Sequence, residues 1–349
     1  MALTKEEIEK FRNTLDNCKK PLFFFDADPD GLTSFLLLYR IKKEGTGVFI
    51  KKGPDFEDRM RRKVEEYSPD AIFILDIPVL DTFFDNLKIT TCWLDHHPVI
   101  KINNSSLNYF NPRVHNDEDN RPTSYWAYKI ANNKEDSWIA LLGNVADWFI
   151  PEYANEVHEK HPDFFNIKAK KAPEILFSDD KLGRLYRIIS LMFKTPTKDI
   201  NSCIKILTRI NNYDEILEQT TPQGKFIHKK ASKISEFYDN YRKEALDQVT
   251  KNDFCLIKLH KSKYSFSSEI SNEIVFKNPN KLIVVCTESE DSYRCSLRSE
   301  NHMVIDILNN TLKEIPSASG GGHDHACGAS VSKEHFEEFI AGLKKHFQK

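Results

Sequence analysis

Three short apolar runs in the first hundred residues each end in an acidic residue, and this arrangement strongly constrains the fold. The runs and their acids are Leu22–Phe25 with Asp26, Ala71–Leu75 with Asp76, and Cys92–Leu94 with Asp95. Runs that are apolar at every position are typical of strands buried on both faces of a parallel sheet. The carboxyl ends of such strands meet at one edge, where ligands bind. The sequence therefore predicts several carboxylates in one crevice.

The segments between these runs are patterned as helices, at Leu32–Glu44 and Phe56–Tyr67. Alternating strands and helices predict an α/β fold with a doubly wound parallel sheet. From about residue 152 to 251 the pattern is helical and polar, with long candidates at Lys181–Phe193 and Phe226–Val249. Strand signals then return at residues 254–259, 282–286 and 293–298, with helical patterns at 303–313 and 333–347. We therefore predict a first domain at 1–165, a helical connector at 166–250 and a smaller α/β domain at 251–349.

The composition excludes several classes of protein. Fifty Lys and Arg stand against 52 Asp and Glu, so any nucleic-acid binding must come from local placement of charge. Seven scattered cysteines form no C-x-x-C pair, so neither a disulfide framework nor a cysteine zinc site is predicted. The polar N-terminus and the absence of a long apolar run lead us to expect no membrane association and a cytoplasmic location.

The segment Asp26-Ala27-Asp28-Pro29-Asp30-Gly31 places three carboxylates at alternate positions where the first strand ends. Clusters of oxygen ligands suit hard cations such as Mn²⁺ or Mg²⁺. Taken alone, such a segment is more often an ordinary turn, because Asp, Pro and Gly are the usual turn residues. A calcium loop does not fit, because Leu37 stands six residues after the glycine, where that motif requires glutamate.

Two further groups offer ligands of the same kind. Asp95-His96-His97 follows the third run, and two imidazoles behind a carboxylate suit one metal ligand and one acid or phosphate contact. A single histidine there would more often be solvent-exposed. Asp147 lies in an otherwise apolar helical segment, where a buried carboxylate is costly unless it is paired or metal-bound. A salt bridge and a metal ligand are both consistent with that position.

The order of these motifs resembles that of the DHH phosphoesterase superfamily: Asp-x-Asp-x-Asp-Gly, a strand-end aspartate, Asp-His-His and a later helical aspartate. Near the C-terminus, Gly320-Gly321-Gly322-His323 with Ala326-Cys327-Gly328 resembles the GGGH-x-x-A-x-G signature of the DHHA1 domain. Ser296-Leu297-Arg298-Ser299 resembles the other substrate-contacting segment of that domain. The resemblance implies that residues 1–165 are a DHH catalytic domain and that residues 251–349 are a substrate-binding DHHA1 domain.

The first motif discriminates between branches of the superfamily. Oligoribonucleases, phosphoadenosine-phosphate phosphatases and related pyrophosphatases begin it with histidine and place an aspartate after the glycine, whereas this chain has Asp26 and Leu32 there. The three alternating aspartates resemble RecJ-type exonucleases, as does Asn111-Pro112-Arg113 after the Asp-His-His motif. The Pro29-Asp30-Gly31 segment is shared with oligoribonucleases, so that branch stays an alternative.

The resemblance also implies roles for individual residues. Two divalent cations, Mn²⁺ or else Mg²⁺, would lie about 3.5–4 Å apart and activate a water for attack on phosphorus. Asp76 would bridge the two ions. The other ligands would be Asp26 and Asp30 for the first ion and His96 and Asp147 for the second, with Asp28 as a further candidate. His97 would contact the phosphate or protonate the leaving oxygen, and Asp95 would orient the histidines.

Substrate contacts are expected from the C-terminal motifs. Gly320, Gly321 and Gly322 would let backbone N–H groups approach a phosphate, although a glycine run alone is usually a hinge. Arg298 offers a planar fork for a phosphate or a terminal nucleotide. Further expected contacts are Ser299, His323 and Arg113. Tyr264 and Phe266 suit either base stacking or core packing.

Three functional hypotheses follow. The leading one is a RecJ-like single-strand exonuclease that releases mononucleotides from DNA or RNA. The alternative enzyme is a phosphodiesterase for short oligonucleotides, pAp or cyclic dinucleotides, which the modest length of 349 residues favours. The third is an inactive RecJ-like scaffold among replication or repair proteins. It is disfavoured because every expected ligand position holds Asp or His.

Overall fold

A computed structural model describes residues 3–51, 56–78, 80, 82–101, 104–261, 263–315 and 317–348. The chain forms two compact units, Met1–Ala231 and Ser232–Lys349. Each unit is built on its own five-stranded sheet, accompanied by helices. The predicted α/β class is therefore confirmed.

The sheet of the first unit is parallel throughout. Its strands are β1 (Pro21–Asp26), β2 (Thr46–Ile50), β3 (Ala71–Leu75), β4 (Thr90–Leu94) and β5 (Leu107–Phe110), and they lie in the order β2-β1-β3-β4-β5. The three apolar runs of the sequence are β1, β3 and β4, as predicted. The pattern does not predict β2 and β5, because these strands are only partly buried and carry no long apolar run.

Alternate residues of the strands pack into two cores, one on each face of the first sheet. Phe23 and Phe25 belong to the core that includes α1, α2, α4 and α5, whereas Leu22 and Phe24 belong to the core that includes α3. These helices are α1 (Lys5–Asn17), α2 (Pro29–Lys42), α3 (Phe56–Tyr67), α4 (Thr123–Ala131) and α5 (Ser137–Ala146). Helices on both faces make the sheet doubly wound, as the sequence predicts.

A helical region follows α5. Its helices are α6 (Ala154–Lys160), α7 (Ala172–Leu176), α8 (Lys181–Met192), α9 (Thr197–Leu207), α10 (Asp214–Leu217) and α11 (Pro222–Asp247). Apolar residues of this region, as far as Ile227, share the core of α2 and α5. The predicted boundaries at residues 165 and 250 remain predictions. Among the described helices, none combines the length and the apolar content needed to traverse a bilayer.

The second unit contains a mixed sheet. Its strands are β6 (Phe254–Leu259), β7 (Leu282–Glu288), β8 (Ser292–Arg298), β9 (Ser319–His323) and β10 (Ala326–Ser332), in the order β6-β7-β8-β10-β9. Its helices after α11 are α12 (Ser267–Lys277), α13 (Val304–Glu314) and α14 (Phe336–Phe347). The sequence predicts β6, β7, β8, α13 and α14. It does not predict the β9–β10 hairpin, because the glycine-rich β9 lacks the apolar alternation of a strand.

One pair of cysteines corrects a prediction from the sequence. Cys286 and Cys295 face each other on the antiparallel strands β7 and β8 and form a disulfide. The spacing of the cysteines gives no sign of this pair, because the pairing register of the two strands brings them together. The other five cysteines are buried and take no part in this disulfide.

Gly143 in α5 allows close packing against α2 and α4. A Cβ atom at this position would overlap Thr33 Oγ1 and lie 2.6 Å from Ser124 Oγ. We therefore expect Gly143→Ala to lower the free energy of unfolding by about 1–3 kcal/mol, as overpacking usually does. Urea denaturation followed by circular dichroism measures this change. Gly328→Ala is the control, because its Cβ would have Cys295 O at 4.0 Å as its nearest contact. Equal denaturation midpoints for both variants and the wild type would contradict the packing argument.

Candidate active site

The strand order of the first sheet creates a crevice at its carboxyl edge. The chain leaves β1 and β3, which are neighbours, towards opposite sides, and ligands bind at such a switch point. Asp26 is the last residue of β1, and Asp76 is the first residue after β3. Asp76 is 2% exposed and has a left-handed backbone with φ of 61°, held by its N–H donating to Leu94 O at 3.0 Å. Aspartate tolerates this conformation better than most residues.

The first aspartate motif forms the entry to α2. Asp28 is the N-cap of the helix, and its carboxylate accepts from Gly31 N at 2.9 Å. A Cβ atom on Gly31 would lie 2.6 Å from Asp26 O, so only glycine lets the helix begin this close to the end of β1. The segment therefore caps α2 and also presents carboxylates that could bind a metal ion.

Asp30 is clamped by the N-terminus of α4. Its carboxylate accepts from Thr123 N at 2.9 Å, from Ser124 N at 3.0 Å and from Ser124 Oγ. Free helix N–H groups stabilise a negative charge in this way. An ionised carboxylate has about four acceptor positions, so these three bonds leave room for one further ligand.

A buried chain of hydrogen bonds holds Ser124 in position to bind Asp30. Tyr153 Oη donates to Asn144 Oδ1 at 2.9 Å, and Asn144 Nδ2 donates to Ser124 Oγ at 2.7 Å. The Ser124 hydroxyl in turn donates a hydrogen bond to the carboxylate of Asp30. The sequence analysis missed these positioning residues. A Thr-Ser pair at the start of a helix is a weak signal for Ser124, and nothing in the sequence indicates Tyr153 or Asn144.

Asp95 fixes the position of His97. Its carboxylate is fully buried, and its oxygens lie 2.8 Å from His97 Nδ1 and 3.2 Å from His97 N. Asn111, also buried, donates to His97 O at 2.9 Å and lies 2.7 Å from Tyr109 Oη. The predicted Asn-Pro element is thus a brace for the Asp-His-His loop.

His96 lies between two carboxylates. Its Nε2 is 3.5 Å from Asp76 Oδ1 and 3.7 Å from Asp147 Oδ2. Its Nδ1 is buried without a hydrogen-bond partner among the described residues. The placement of Asp147 differs from the sequence interpretation: it is the C-cap just beyond α5, and its side chain is 38% exposed, so it is not on a buried helix face. The turn at the helix end aims its carboxylate at His96.

The ligand atoms of these residues form three overlapping groups, each within 4.8 Å. The groups are Asp26 with Asp28 and Asp76; Asp30 with His96 and Asp147; and Asp76 with His96 and His97. Asp76 and His96 each belong to two of them, and of these only the carboxylate of Asp76 has two oxygens with which to bridge two ions. Asp28 rather than Asp30 shares a group with Asp26, unlike the arrangement implied by the resemblance.

The electrostatics of the cluster call for positive charge. Burial, followed by repulsion from neighbouring aspartates, raises the pKa of Asp28 and of Asp76 well above the usual range. Burial also raises the pKa of Asp147 to about 6, and the carboxylates of Asp147 and Asp76 raise the pKa of His96. In the described part of the chain, Asp28 and Asp76 form no ion pair with Lys or Arg. Carboxylate oxygens with one or two imidazoles are a donor set that fits Mn²⁺ or Mg²⁺.

The other predicted contacts lie elsewhere. Arg113 forms a surface ion pair with Asp117 at 3.0 Å. The remaining predicted substrate residues lie in the second unit: Arg298, Ser299, Gly320, Gly321, Gly322 and His323. The side chain of His323 lies outside the described set. Phe266 is buried, so its core-packing interpretation holds, and Tyr264 packs against Phe237 with ring centroids 5.5 Å apart.

Arg298 is held by uncharged partners. Its Nε donates to Asn272 Oδ1 at 2.7 Å, its Nη2 to Ser268 Oγ at 3.0 Å, and its Nη1 to Cys327 O at 3.0 Å. Burial lowers the pKa of this guanidinium. In β9, which is separated from β8 by β10, Gly322 has φ of 152°, and a Cβ atom on Gly321 would meet no atom within 4 Å. The second unit thus combines a half-buried cation with open backbone.

Comparison with known proteins gives the family. The DHHA1 domain family matches residues 259–349, and no curated protein matches the sequence. The structure of Thermus thermophilus RecJ with Mn²⁺ is similar over 99% of this chain and 55% of that one, with a TM-score of 0.66 and 14% identity. Residues 259–349 therefore match the DHHA1 domain, and the solved structures show the fold of the chain. Its fold is RecJ-like, as the sequence motifs predict, and it spans about half the length of that RecJ.

Two other structures show how widely this superfamily fold is used. The pGpG-specific phosphodiesterase PggH from Vibrio cholerae has a TM-score of 0.54 and 13% identity, over 94% of this chain and 100% of that one. CDC45 from Entamoeba histolytica has a TM-score of 0.55 and 10% identity, over 99% of both chains. At such low identities the fold is shared, and the activity must be argued from the site.

The raised pKa of Asp147 predicts how the stability of the metal-free protein varies with pH. A carboxyl group with a pKa of about 6 when folded and 3.8 otherwise binds more protons in the folded state between these values. Its stabilising contribution is therefore complete below pH 3.8 and is lost as the pH rises through about 6. In EDTA, we expect thermal unfolding of the wild type to lose stability over this range relative to Asp147→Asn.

Added Mn²⁺ should raise the melting temperature of the wild type at pH 7, because it binds only the folded cluster. The control is Asp117→Asn, whose carboxylate is 86% exposed. It should match the wild type at every pH and with Mn²⁺. Two results would count against this cluster as a metal site: a difference in melting temperature between wild type and Asp147→Asn that is constant with pH, and a wild-type melting temperature that Mn²⁺ does not change.

Proposed function

We propose that this chain is a divalent-metal-dependent phosphodiesterase that removes nucleotides from single-stranded nucleic acid, as a RecJ-like exonuclease. The observation that carries the proposal is the set of buried carboxylates and imidazoles at the β1/β3 switch point. Four raised carboxyl pKa values mark this set as short of positive charge: those of Asp28, Asp30, Asp76 and Asp147. Clefts with several perturbed titratable groups are candidate active sites.

The residues of the site could hold two cations, which we propose to be Mn²⁺ or else Mg²⁺. We assign Asp26, Asp28 and Asp76 to one ion and Asp30, His96 and Asp147 to the other, with Asp76 as the bridge. Two bound cations would lower the pKa of a water between them and neutralise charge on the phosphate. Asp30 could bind its ion while it is hydrogen-bonded to the N-terminus of α4. One acceptor position of its carboxylate remains after the three hydrogen bonds.

His97 is the proposed contact to the phosphate or the leaving oxygen. Because Asp95 engages Nδ1, the atom that meets the substrate is Nε2. Asp95 fixes the orientation of the ring, as hydrogen-bond partners of site histidines do. Asn111 positions this pair through His97 O.

In the second unit, Arg298 is the proposed anchor for a substrate phosphate. Its charge is not neutralised by its hydrogen bonds, which all go to neutral oxygens. Ser299, the backbone of Gly320 to Gly322 and His323 complete the proposed DHHA1 contact set, and Arg113 stays a proposal for the first unit. Single-stranded nucleic acid or short nucleotides are the proposed partners, with replication or repair proteins as further ones.

A phosphodiesterase for short oligonucleotides, pAp or cyclic dinucleotides is the second candidate. The observation that favours it is the similarity to PggH, which is specific for pGpG. The similarity to CDC45 supports a scaffold role only weakly, because this chain keeps Asp or His at every expected ligand position.

The length of the substrate distinguishes the two enzymes. The purified chain with Mn²⁺ is incubated with 5′- and 3′-labelled single-stranded DNA and RNA of two and twenty nucleotides, and with pAp and a cyclic dinucleotide. We expect a stepwise ladder from one end of the 20-mers. Cleavage confined to the small nucleotides would replace the exonuclease with the second candidate. No Mn²⁺-dependent cleavage of any of these substrates would contradict both.

Asp76→Asn tests the bridge. Asparagine also tolerates the left-handed backbone at this position, so the variant removes charge without adding strain. We expect hydrolysis to fall more than about 100-fold, since even the hydrogen-bond partners of metal ligands contribute 10- to 100-fold. Initial rates over a range of Mn²⁺ concentrations provide the measurement, with Asp117→Asn as the matched control. A variant that keeps at least a tenth of the wild-type rate would rule out the bridging role.

A further inference from the structure

Trp148 is an exposed indole directly beside the metal cluster. Of the four tryptophans in the chain, Trp93, Trp126 and Trp138 are at most 5% exposed, whereas Trp148 is 43% exposed. It follows Asp147, whose carboxylate lies 3.7 Å from His96 Nε2. Among the described residues, its ring takes part in no aromatic pair and no cation–π contact.

The backbone at Trp148 has a conformation that normally selects glycine. At the end of α5, Phe149 N donates to Asn144 O at 2.9 Å and Trp148 N donates to Val145 O at 3.0 Å. These two bonds define a Schellman motif with Trp148 at the left-handed C′ position, and its φ is 62°. Glycine is the usual residue there because a side chain crowds the backbone in this region.

A bulky aromatic residue at a glycine position is poor for local folding. Its ring is not buried in a core that could compensate, because nearly half of it faces solvent. Unfavourable local choices of this kind concentrate at functional sites. The next residue, Phe149, packs on Tyr125 with ring centroids 5.7 Å apart, whereas no described aromatic ring pairs with Trp148. A single flat ring suits a small planar ligand.

We propose that Trp148 stacks on a nucleobase next to the scissile phosphate. This inference rests on the proposed function, because a phosphate bound by the cluster that includes Asp147 carries its base only a few bonds away. Every base offers a π-face, so stacking holds the substrate without selecting a sequence. The rigid turn, closed by two hydrogen bonds, presents the ring in a fixed position and reduces the entropy lost on binding. Trp148 is therefore a positioning residue and not a metal ligand.

The first test uses Trp148→Gly, which suits the backbone, and Trp148→Phe, which keeps a stacking ring. With a dinucleotide and Mn²⁺, we expect Trp148→Gly to raise KM about tenfold, from the loss of one stacked base, with kcat nearly unchanged. Trp148→Phe should recover most of the loss. The melting temperature of Trp148→Gly should equal or exceed that of the wild type, which separates the effect from misfolding. The control is Phe237→Ala in the second unit, whose ring is 50% exposed; it should leave KM unchanged.

The decisive comparison removes the base from the substrate. For a dinucleotide with an abasic sugar in place of one nucleoside, wild type and Trp148→Gly should have the same KM, because the missing base and the missing indole are one interaction. If the KM of Trp148→Gly stays tenfold above that of the wild type for dinucleotides abasic at either position, base stacking by Trp148 is overturned. An unchanged KM of Trp148→Gly on the intact dinucleotide while wild-type hydrolysis proceeds would overturn it as well.

Binding without catalysis separates this inference from the proposed function. With Mg²⁺ and dinucleotides made non-hydrolysable by a methylene phosphonate linkage, the intact dinucleotide should quench the fluorescence of the wild type, and the abasic one should not. Trp148→Phe should lose the quenching while calorimetry still detects the dinucleotide. Quenching without hydrolysis in Mn²⁺ would support the base contact and contradict the phosphodiesterase. Calorimetric binding of the intact dinucleotide without quenching would overturn the base contact alone, whatever the activity.

Discussion

Mutual repulsion among carboxylates at the carboxyl edge of the first sheet is the interaction on which this structure depends. Burial raises the pKa of Asp28 and of Asp76, and repulsion adds to it: Asp26 and Asp30 act on Asp28, and Asp30 and Asp28 act on Asp76. A fold that brings such groups together must provide positive charge or hydrogen-bond donors near them. Here Ser124 and the N-terminus of α4 supply donors to Asp30, and the donor set of carboxylates and imidazoles is suited to divalent cations.

The helices around this edge are arranged to hold the carboxylates despite the repulsion. The N-terminus of α4 gives two amides and a hydroxyl to Asp30, and α5 supplies Asn144 to the hydroxyl of Ser124. Gly143 allows α5 to approach closely enough for this contact. The same helix then ends in the Schellman turn that places Asp147 and Trp148. One short helix thus links core packing, the clamp on Asp30 and the presentation of the proposed stacking ring.

The second unit has the opposite electrostatic character at its candidate site. Arg298 is half-buried and its hydrogen bonds go to neutral oxygens, whereas the first unit gathers negative charge that suits cations.

The sequence by itself determined the α/β class, the parallel strands β1, β3 and β4, and the acidic residues at their ends. These follow from apolar runs and from the common direction of parallel strands, which are local properties of the chain. The C-terminal glycine motif also indicated the DHHA1 domain. Only the tertiary structure decided which residues share an ion site, because Asp28 and Asp30 are equally acidic in the sequence. Likewise, the clamp on Asp30 joins residues 93 positions apart, and the disulfide depends on strand register. Trp148 owes its exposed, left-handed position to how α5 ends against its neighbours, which no pattern of residue types records.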